Sequence, residues 1–146
     1  PNVEKPSSSP PKVPPEVLTD AEIKDFITKD NFATAKKMVE RTENFGRFLS
    51  QGEKKEPVST SQIRDVYGTV KKLEVAPWDK VKTPRQLLLL KPRLEYAAAR
   101  HKGRMGHLKK VINSAIDCVG EDEANFKRFC QFFEAIVAYQ VAEQKK

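Results

Sequence analysis

The sequence predicts an all-α protein: a single bundle of about five to six helices, preceded by a disordered, proline-rich N-terminal leader. Two observations predict this class. Apolar residues recur at helical spacing in successive segments after residue 17, and strand-like alternation is not found there. Capping residues stand at the starts of several of these segments. Because 146 residues are the size of one domain, we expect a leader over residues 1–17 and a helical bundle over residues 18–146.

Residues 1–17 (PNVEKPSSSPPKVPPEV) are rich in proline and serine and have too few apolar side chains to form a core. Thr19 and Glu22 have the spacing of a capping box, which predicts a short first helix from about Asp20. A second helix is predicted from about Phe32 to Leu49. It has two adjoining apolar stripes, one of Phe32, Ala35 and Val39 and the other of Met38, Phe45, Phe48 and Leu49.

The third and fourth helices are predicted from their starting residues. Ser59 and Gln62 form a second capping box, which opens a helix whose core stripe is Ile63, Val66, Tyr67, Val70 and Leu73. The fourth helix begins at Thr83 as its cap, followed by a proline at the first helical position. Pro92 then predicts a kink or a restart, because proline removes a backbone donor and clashes with the preceding turn.

The two C-terminal helices are the most apolar. A fifth helix has a continuous apolar stripe between Leu108 and Val119 and is predicted to end at Gly120. The last helix, from about Asp122 to Gln144, is apolar on most sides, which is typical of the central helix of a bundle. Both cysteines, at positions 118 and 130, lie within these patterns, so we expect two core thiols and no disulfide.

Positive charge is concentrated in the middle third of the chain. The net charge is +7, and residues 59–110 hold thirteen lysines and arginines against four acidic residues. A local surplus of this kind is typical of a surface that binds a polyanion, although a solvated basic face with no ligand is the alternative. No apolar run approaches the roughly 20 residues that cross a bilayer, and the first 17 residues have no apolar signal segment. We therefore expect a cytoplasmic protein with no membrane partner.

Basic residues on the predicted third helix share one face. Arg64 and Lys71 are seven residues apart, and Lys72 lies beside them. Cations held at rigid spacing can bind successive phosphates of a nucleic acid. Arg41 on the second helix could extend this surface, but interleaved acidic residues weaken its case. The loops on either side of the third helix are too long for a helix-turn-helix, so backbone binding fits better than base readout.

The predicted fourth helix has a second basic face. Arg93, Tyr96 and Arg100 follow the i, i+3, i+7 spacing of one face, and Lys91 is close in sequence. A tyrosine between cations can stack on a base or form a hydrogen bond. Alternatively, Tyr96 belongs to the core and the arginines cover it with their aliphatic stems. Both interpretations of Tyr96 are open from the sequence.

Signals for an enzyme are weak. There is no glycine-rich phosphate loop, no nucleophile elbow and no zinc motif, and the two histidines lie six residues apart on different helix faces. We therefore predict no catalytic residue, no metal and no cofactor. Glu95 and Glu134 each lie on a largely apolar stretch, where a carboxylate is more often paired with an arginine than catalytic. Arg64 and Arg100 are the expected partners.

Three segments resemble the small subunit of type III-A CRISPR effector (Csm) complexes. They are SQIR at 61–64, LKPRLEYAAAR at 90–100 and FFEAIVAY at 132–139, and the resemblance extends over roughly residues 20–142. It implies a helical bundle without catalytic activity, stacked in several copies beside the backbone subunit of the complex. It also implies that basic faces line the groove that holds guide and target RNA.

The resemblance further implies a set of partners and contacts. The partners are CRISPR RNA, target RNA, the backbone subunit of the RNA-recognition-motif type, the large polymerase/nuclease subunit and other copies of the chain. RNA contacts are implied for Arg64, Lys91, Arg93 and Arg100, and structural roles for Tyr96, Glu134 and Tyr139. RNA contacts of Lys71, Lys72 and Arg41 depend on the helical-face pattern alone. Two alternatives remain: a helical adaptor whose basic face binds an acidic protein, and an enzyme that uses Glu95 or Glu134.

Overall fold

A computed structural model describes residues 14–52, 57–101 and 103–146 of the chain, and over these ranges the secondary structure is entirely helical. The helices are α1 (Asp20–Thr28), α2 (Phe32–Ser50), α3 (Thr60–Val75), α4 (Lys82–Leu88), α5 (Leu90–Arg100), α6 (Met105–Val119) and α7 (Glu123–Gln144). Only Leu89 separates α4 from α5, so the pair is one interrupted helix and the predicted helical bundle is confirmed. None of the helices in these ranges is long and apolar enough to cross a membrane.

The last helix is the centre of the bundle, as predicted. α7 packs against α1, α2, α3 and α6. Its Phe129, Phe132, Phe133 and Ile136 have no solvent exposure. Edge-to-face and tilted contacts join these rings to aromatic side chains of α1 and α3, with Phe26–Phe132 centroids 6.0 Å apart. A helix apolar on most sides is stable only where other helices cover it, which explains its central position.

Polar contacts fix the C-terminal half of α7 against α2 and α3. Ser50 of α2 donates a hydrogen bond from its hydroxyl to the backbone oxygen of Gln140, at 2.7 Å. The fully buried Gln140 side chain donates through Nε2 to the backbone oxygen of Val58, also at 2.7 Å. Val58 immediately precedes the N-cap of α3, so these bonds set where α3 begins relative to α7.

Three helix caps were predicted from the sequence, and two of them are present. Thr19 and Ser59 each form a capping box with the residue three positions later. The predicted cap at Thr83 is wrong, because α4 already begins at Lys82. The Asp79 carboxylate caps this turn instead, accepting from the backbone nitrogen of Lys82 at 2.7 Å. The Thr83 side chain is buried and accepts from the backbone nitrogen of Asp79.

The predicted interruption at Pro92 and the predicted stop at Gly120 are both confirmed. The chain restarts as α5 at Leu90, which places Pro92 in the first turn, where its missing N–H breaks no intrahelical hydrogen bond. Gly120 ends α6 with a φ of 58°, a left-handed conformation that glycine adopts without a side-chain clash.

The prediction for the N-terminal half of α2 is wrong. Phe45, Phe48 and Leu49 are buried, but Phe32 is 83% exposed and Val39 is 45% exposed. Most side chains between residues 32 and 40 are exposed, so no helix among the described residues covers the first of the two stripes. An apolar stripe at helical spacing is buried only where another element lies opposite, and within the described part of the chain none lies opposite this end of α2.

The leader prediction falls mainly on residues 1–13, which lie outside the described residues. Residues 14–17 are described, and Val17 packs against the bundle. Val17 is 7% exposed, and its backbone nitrogen donates to the oxygen of Pro14 at 2.9 Å. Val17, the last residue of the predicted leader, is therefore buried against the bundle, and the domain boundary at residue 18 stays a prediction.

Both cysteines are free thiols. Cys130 is buried in α7, whereas Cys118 is half-buried in α6. Burial raises the pKa of the Cys130 thiol to about 12, because the charged thiolate is poorly stabilised away from water. Burial also raises the pKa of Cys118. Both thiols therefore stay protonated near neutral pH and are poor nucleophiles.

Candidate nucleic-acid interface

α5 packs against α6 and also contacts α3 and α4. Leu94 has no solvent exposure and anchors α5 in the core. Two ion pairs connect α5 to α6: Lys91 with Asp117, and Glu95 with Lys109, whose Oε1–Nζ distance is 3.2 Å. These contacts leave the opposite side of α5 free to face α3.

A groove of about 610 Å³ lies between α3 and α5, and we call it the α3–α5 groove. The α3 side supplies Ser61, Gln62, Asp65 and Val66, and the other side supplies Pro92, Arg93, Tyr96, Ala97, Arg100 and His101. Its walls therefore combine apolar surface, two arginines and one carboxylate. The volume is within the usual range for small-molecule sites, roughly 300–1,000 Å³.

The two arginines of the α3–α5 groove are exposed at positions two helical turns apart. Seven residues of α-helix separate Arg93 from Arg100 by about 10.5 Å along the axis. Arg93 donates through one terminal nitrogen to the hydroxyl of Thr69 on α3, at 2.7 Å, and this contact orients its guanidinium across the groove. Neither arginine forms an ion pair with another residue of the described ranges.

Tyr96 lies in the same groove and is 66% exposed. The alternative that Tyr96 belongs to the core is therefore wrong. The core positions of α5 are Leu90 and Leu94. Tyr96 instead presents its ring to solvent on the helical face that it shares with Arg93 and Arg100.

The basic residues of α3 divide between two faces. Lys72 follows Asp65 by seven residues and so lies on the same side of α3, beyond the residues that line the α3–α5 groove. Arg64 is exposed but does not line the groove. Lys71 is on the Arg64 side and pairs with Glu74, with an Nζ–Oε1 distance of 3.1 Å. The hydrogen bond with Glu74 raises the pKa of Lys71, which stays charged.

Arg41 has its guanidinium in contact with protein acceptors. Its Nε donates to the Glu22 carboxylate at 2.8 Å, and its terminal nitrogens donate to the backbone oxygens of Pro15 and Val17. Burial alone would raise the pKa of Glu22, but the hydrogen bonds from Arg41 and from the Thr19 backbone outweigh it and lower the pKa. Arg41 thus fastens the segment before α1 to α2, and the prediction that it extends the basic surface is not supported by its position.

The two carboxylates set apart by the sequence do not have the predicted arginine partners. Glu95 pairs with Lys109 and not with Arg100. Glu134 is exposed on α7, and it forms no ion pair with Arg64. In the described part of the chain, no group of three or more histidine, cysteine, aspartate or glutamate side chains is placed to hold a metal ion. The two carboxylates lie on separate helices, α5 and α7.

Sequence reasoning found the arginines of the groove but missed its other side. Asp65 was not singled out, although it follows directly on the SQIR segment, and Gln62 was identified only as a capping residue. The available signal for Tyr96 was its spacing from the two arginines. Pairing between α3 and α5 is a long-range contact, and the sequence carries no signal for it.

Comparisons with known proteins give one match. The family model Csm2 Type III-A matches residues 33–146, which is most of the chain and includes both walls of the α3–α5 groove. A search of curated proteins and a search of solved structures found no match.

Proposed function

The chain belongs to the Csm2 family, the small subunit of type III-A CRISPR complexes, and we propose that it binds RNA backbone there without catalysing a reaction. The single observation that carries this proposal is the α3–α5 groove, with Arg93 and Arg100 exposed at fixed spacing. Base pairing between guide and target already supplies specificity in RNA-guided systems. A small subunit then needs only cations that contact phosphates and surfaces that contact its neighbours.

Four side chains form the proposed RNA-binding set: Arg64, Lys72, Arg93 and Arg100. All four are exposed and none forms an ion pair with another described residue, so each can meet a phosphate without breaking an ion pair. Lys71 and Lys91 would first have to leave Glu74 and Asp117, so we place them second. Arg41 is left out, because protein acceptors surround its guanidinium.

We further propose the assembly that this function requires. The RNA partners are the CRISPR RNA and its target, and the protein partners are the backbone subunit, the large polymerase/nuclease subunit and other copies of the chain. Family membership supports a place within the complex. The concentration of basic residues in the middle third supports a face directed at RNA, since the remaining two thirds have no positive surplus.

The test measures the affinity of the full chain for a guide–target RNA duplex at several salt concentrations. Each phosphate contact that is lost should reduce the slope of log K against log salt by about 0.7 to 1. We expect this reduction for Arg93→Gln and for Arg100→Gln, and about twice that for the double variant. Lys127→Gln is the matched control, since Lys127 on α7 is exposed and, among the described residues, pairs only with Glu123.

An unchanged slope in the double variant would contradict the proposed contacts. A chain with no salt-dependent RNA affinity, which still captures an acidic protein partner in the presence of ribonuclease, would favour the adaptor function. EDTA-sensitive cleavage of RNA by the pure chain would contradict the non-catalytic part of the proposal.

A further inference from the structure

The α3–α5 groove contains more than phosphate binding requires. Between its two arginines lie the exposed ring of Tyr96 and the apolar surface of Ala97, and Pro92 adds apolar surface beside Arg93. Phosphates gain nothing from an aromatic face or from apolar walls. We propose that the groove binds the base of an unpaired nucleotide, stacked on Tyr96. This inference rests on the proposed function, since it requires RNA at this surface.

The exposure of Tyr96 is the first argument. A tyrosine that is 66% exposed contributes little to the core, and its neighbours on α5 that do contribute are Leu90 and Leu94. Proteins that bind unpaired nucleotides use such rings as stacking platforms, because every base has an aromatic face. In a paired duplex both faces of a base are already stacked. The ring therefore suits a nucleotide outside the duplex.

The carboxylate of Asp65 is the second argument. It is exposed on the α3 wall of the groove, opposite the α5 residues. A carboxylate repels a phosphate but accepts hydrogen bonds from the N–H groups on the edge of a base. Next to it, Gln62 accepts the backbone N–H of Ser59 through its Oε1 at 2.7 Å, which leaves its amide nitrogen to donate to a base. The α3 wall therefore fits a base edge better than a phosphate.

The order of residues along α5 is the third argument. Arg93, Tyr96 and Arg100 lie on one face, so a cation stands about one turn before the ring and another about one turn after it. A nucleotide within a strand has the same order, with its base between two flanking phosphates. Arg93 donates one of its guanidinium N–H groups to the Thr69 hydroxyl, and the other guanidinium donors are free to contact a phosphate.

The experiment compares two RNA duplexes that each contain one extra unpaired nucleotide. In one the nucleotide has its base, and in the other it is abasic, so the two backbones carry the same charge. The full chain should bind the first duplex about fivefold or more tightly than the second, as expected for one stacked base. Tyr96→Ala should abolish this preference and leave the salt slope unchanged, and Tyr96→Phe should keep the preference.

Phe32→Ala is the control for loss of an exposed aromatic ring, since Phe32 is 83% exposed on α2, outside the groove. It should retain the preference. Equal binding of the two duplexes by the unmodified chain would overturn this inference, and the salt slopes of the arginine variants would still report on backbone binding. Loss of the preference in Tyr96→Phe would also overturn it, because the hydroxyl and not the ring would then carry the contact.

Discussion

α2 packs closely against α7 at Gly46, and this contact leads to a specific prediction. A Cβ at this position would lie 2.7 Å from the Cβ of Tyr139, 2.9 Å from the backbone nitrogen of Gln140 and 3.0 Å from the backbone oxygen of Ile136. Two of these three atoms belong to the backbone of α7 and cannot move aside alone. Gly46→Ala must therefore push the two helices apart.

The magnitude follows from two opposing effects. Overpacking in a well-packed core costs about 1–3 kcal/mol, and a contact with backbone atoms lies at the upper end. Alanine is better than glycine within a helix by about 0.8–1.0 kcal/mol, which offsets part of this cost. We expect Gly46→Ala to lower the free energy of unfolding by about 1–2 kcal/mol.

Gly68→Ala in α3 is the matched control, because a Cβ there would meet nothing within 4 Å. Only the helix-propensity gain applies, so this variant should be more stable than the unmodified chain by up to about 1 kcal/mol. Urea unfolding measures both variants through the midpoint, with the slope m unchanged. If Gly46→Ala were as stable as Gly68→Ala, the close packing of α2 on α7 would be wrong.

Two further predictions concern titrating groups. The pKa of Glu22 is lowered from its ordinary value of 4.5 in the folded chain, so its pairing with Arg41 stabilises the fold at pH values above 4.5. This contribution is lost as the pH falls through the lower pKa of the folded state. The difference in unfolding free energy between the unmodified chain and Arg41→Gln should therefore be largest above pH 4.5 and shrink below it; a difference that grew with acidification would contradict the ion pair. In a Cys118→Ser variant, the buried Cys130 thiol, with its pKa of about 12, should resist iodoacetamide at pH 8 until urea unfolds the chain, as mass spectrometry can check. Rapid alkylation of the folded variant would place Cys130 outside the core.

Much of the fold could be predicted because its signals are local. The capping boxes at Thr19 and Ser59 involve residues three positions apart, and the stop at Gly120 depends on one residue's backbone conformation. The cap at Thr83 was wrong because Asp79, slightly farther upstream, competes for the same helix start. Local hydrogen bonds of this kind are readable from sequence until two candidates overlap.

The candidate site could be predicted only in part. The spacing of Arg93, Tyr96 and Arg100 put them on one helical face, but periodicity does not say whether that face meets the core or solvent. The same uncertainty made the α2 stripe at Phe32 and Val39 look buried. Which face is covered depends on the helix that packs opposite.

By itself, then, the sequence determined the helical class, the positions of most helix ends, the basic middle third and the family resemblance. Only the tertiary structure decided that α3 and α5 form a groove, that Tyr96 faces solvent within it and that Arg41 binds Glu22 instead of forming part of the basic surface. The physical reason is the range of the interactions. Caps and helical faces are set by residues within about one turn, whereas grooves and ion pairs join residues that only the folded chain brings together.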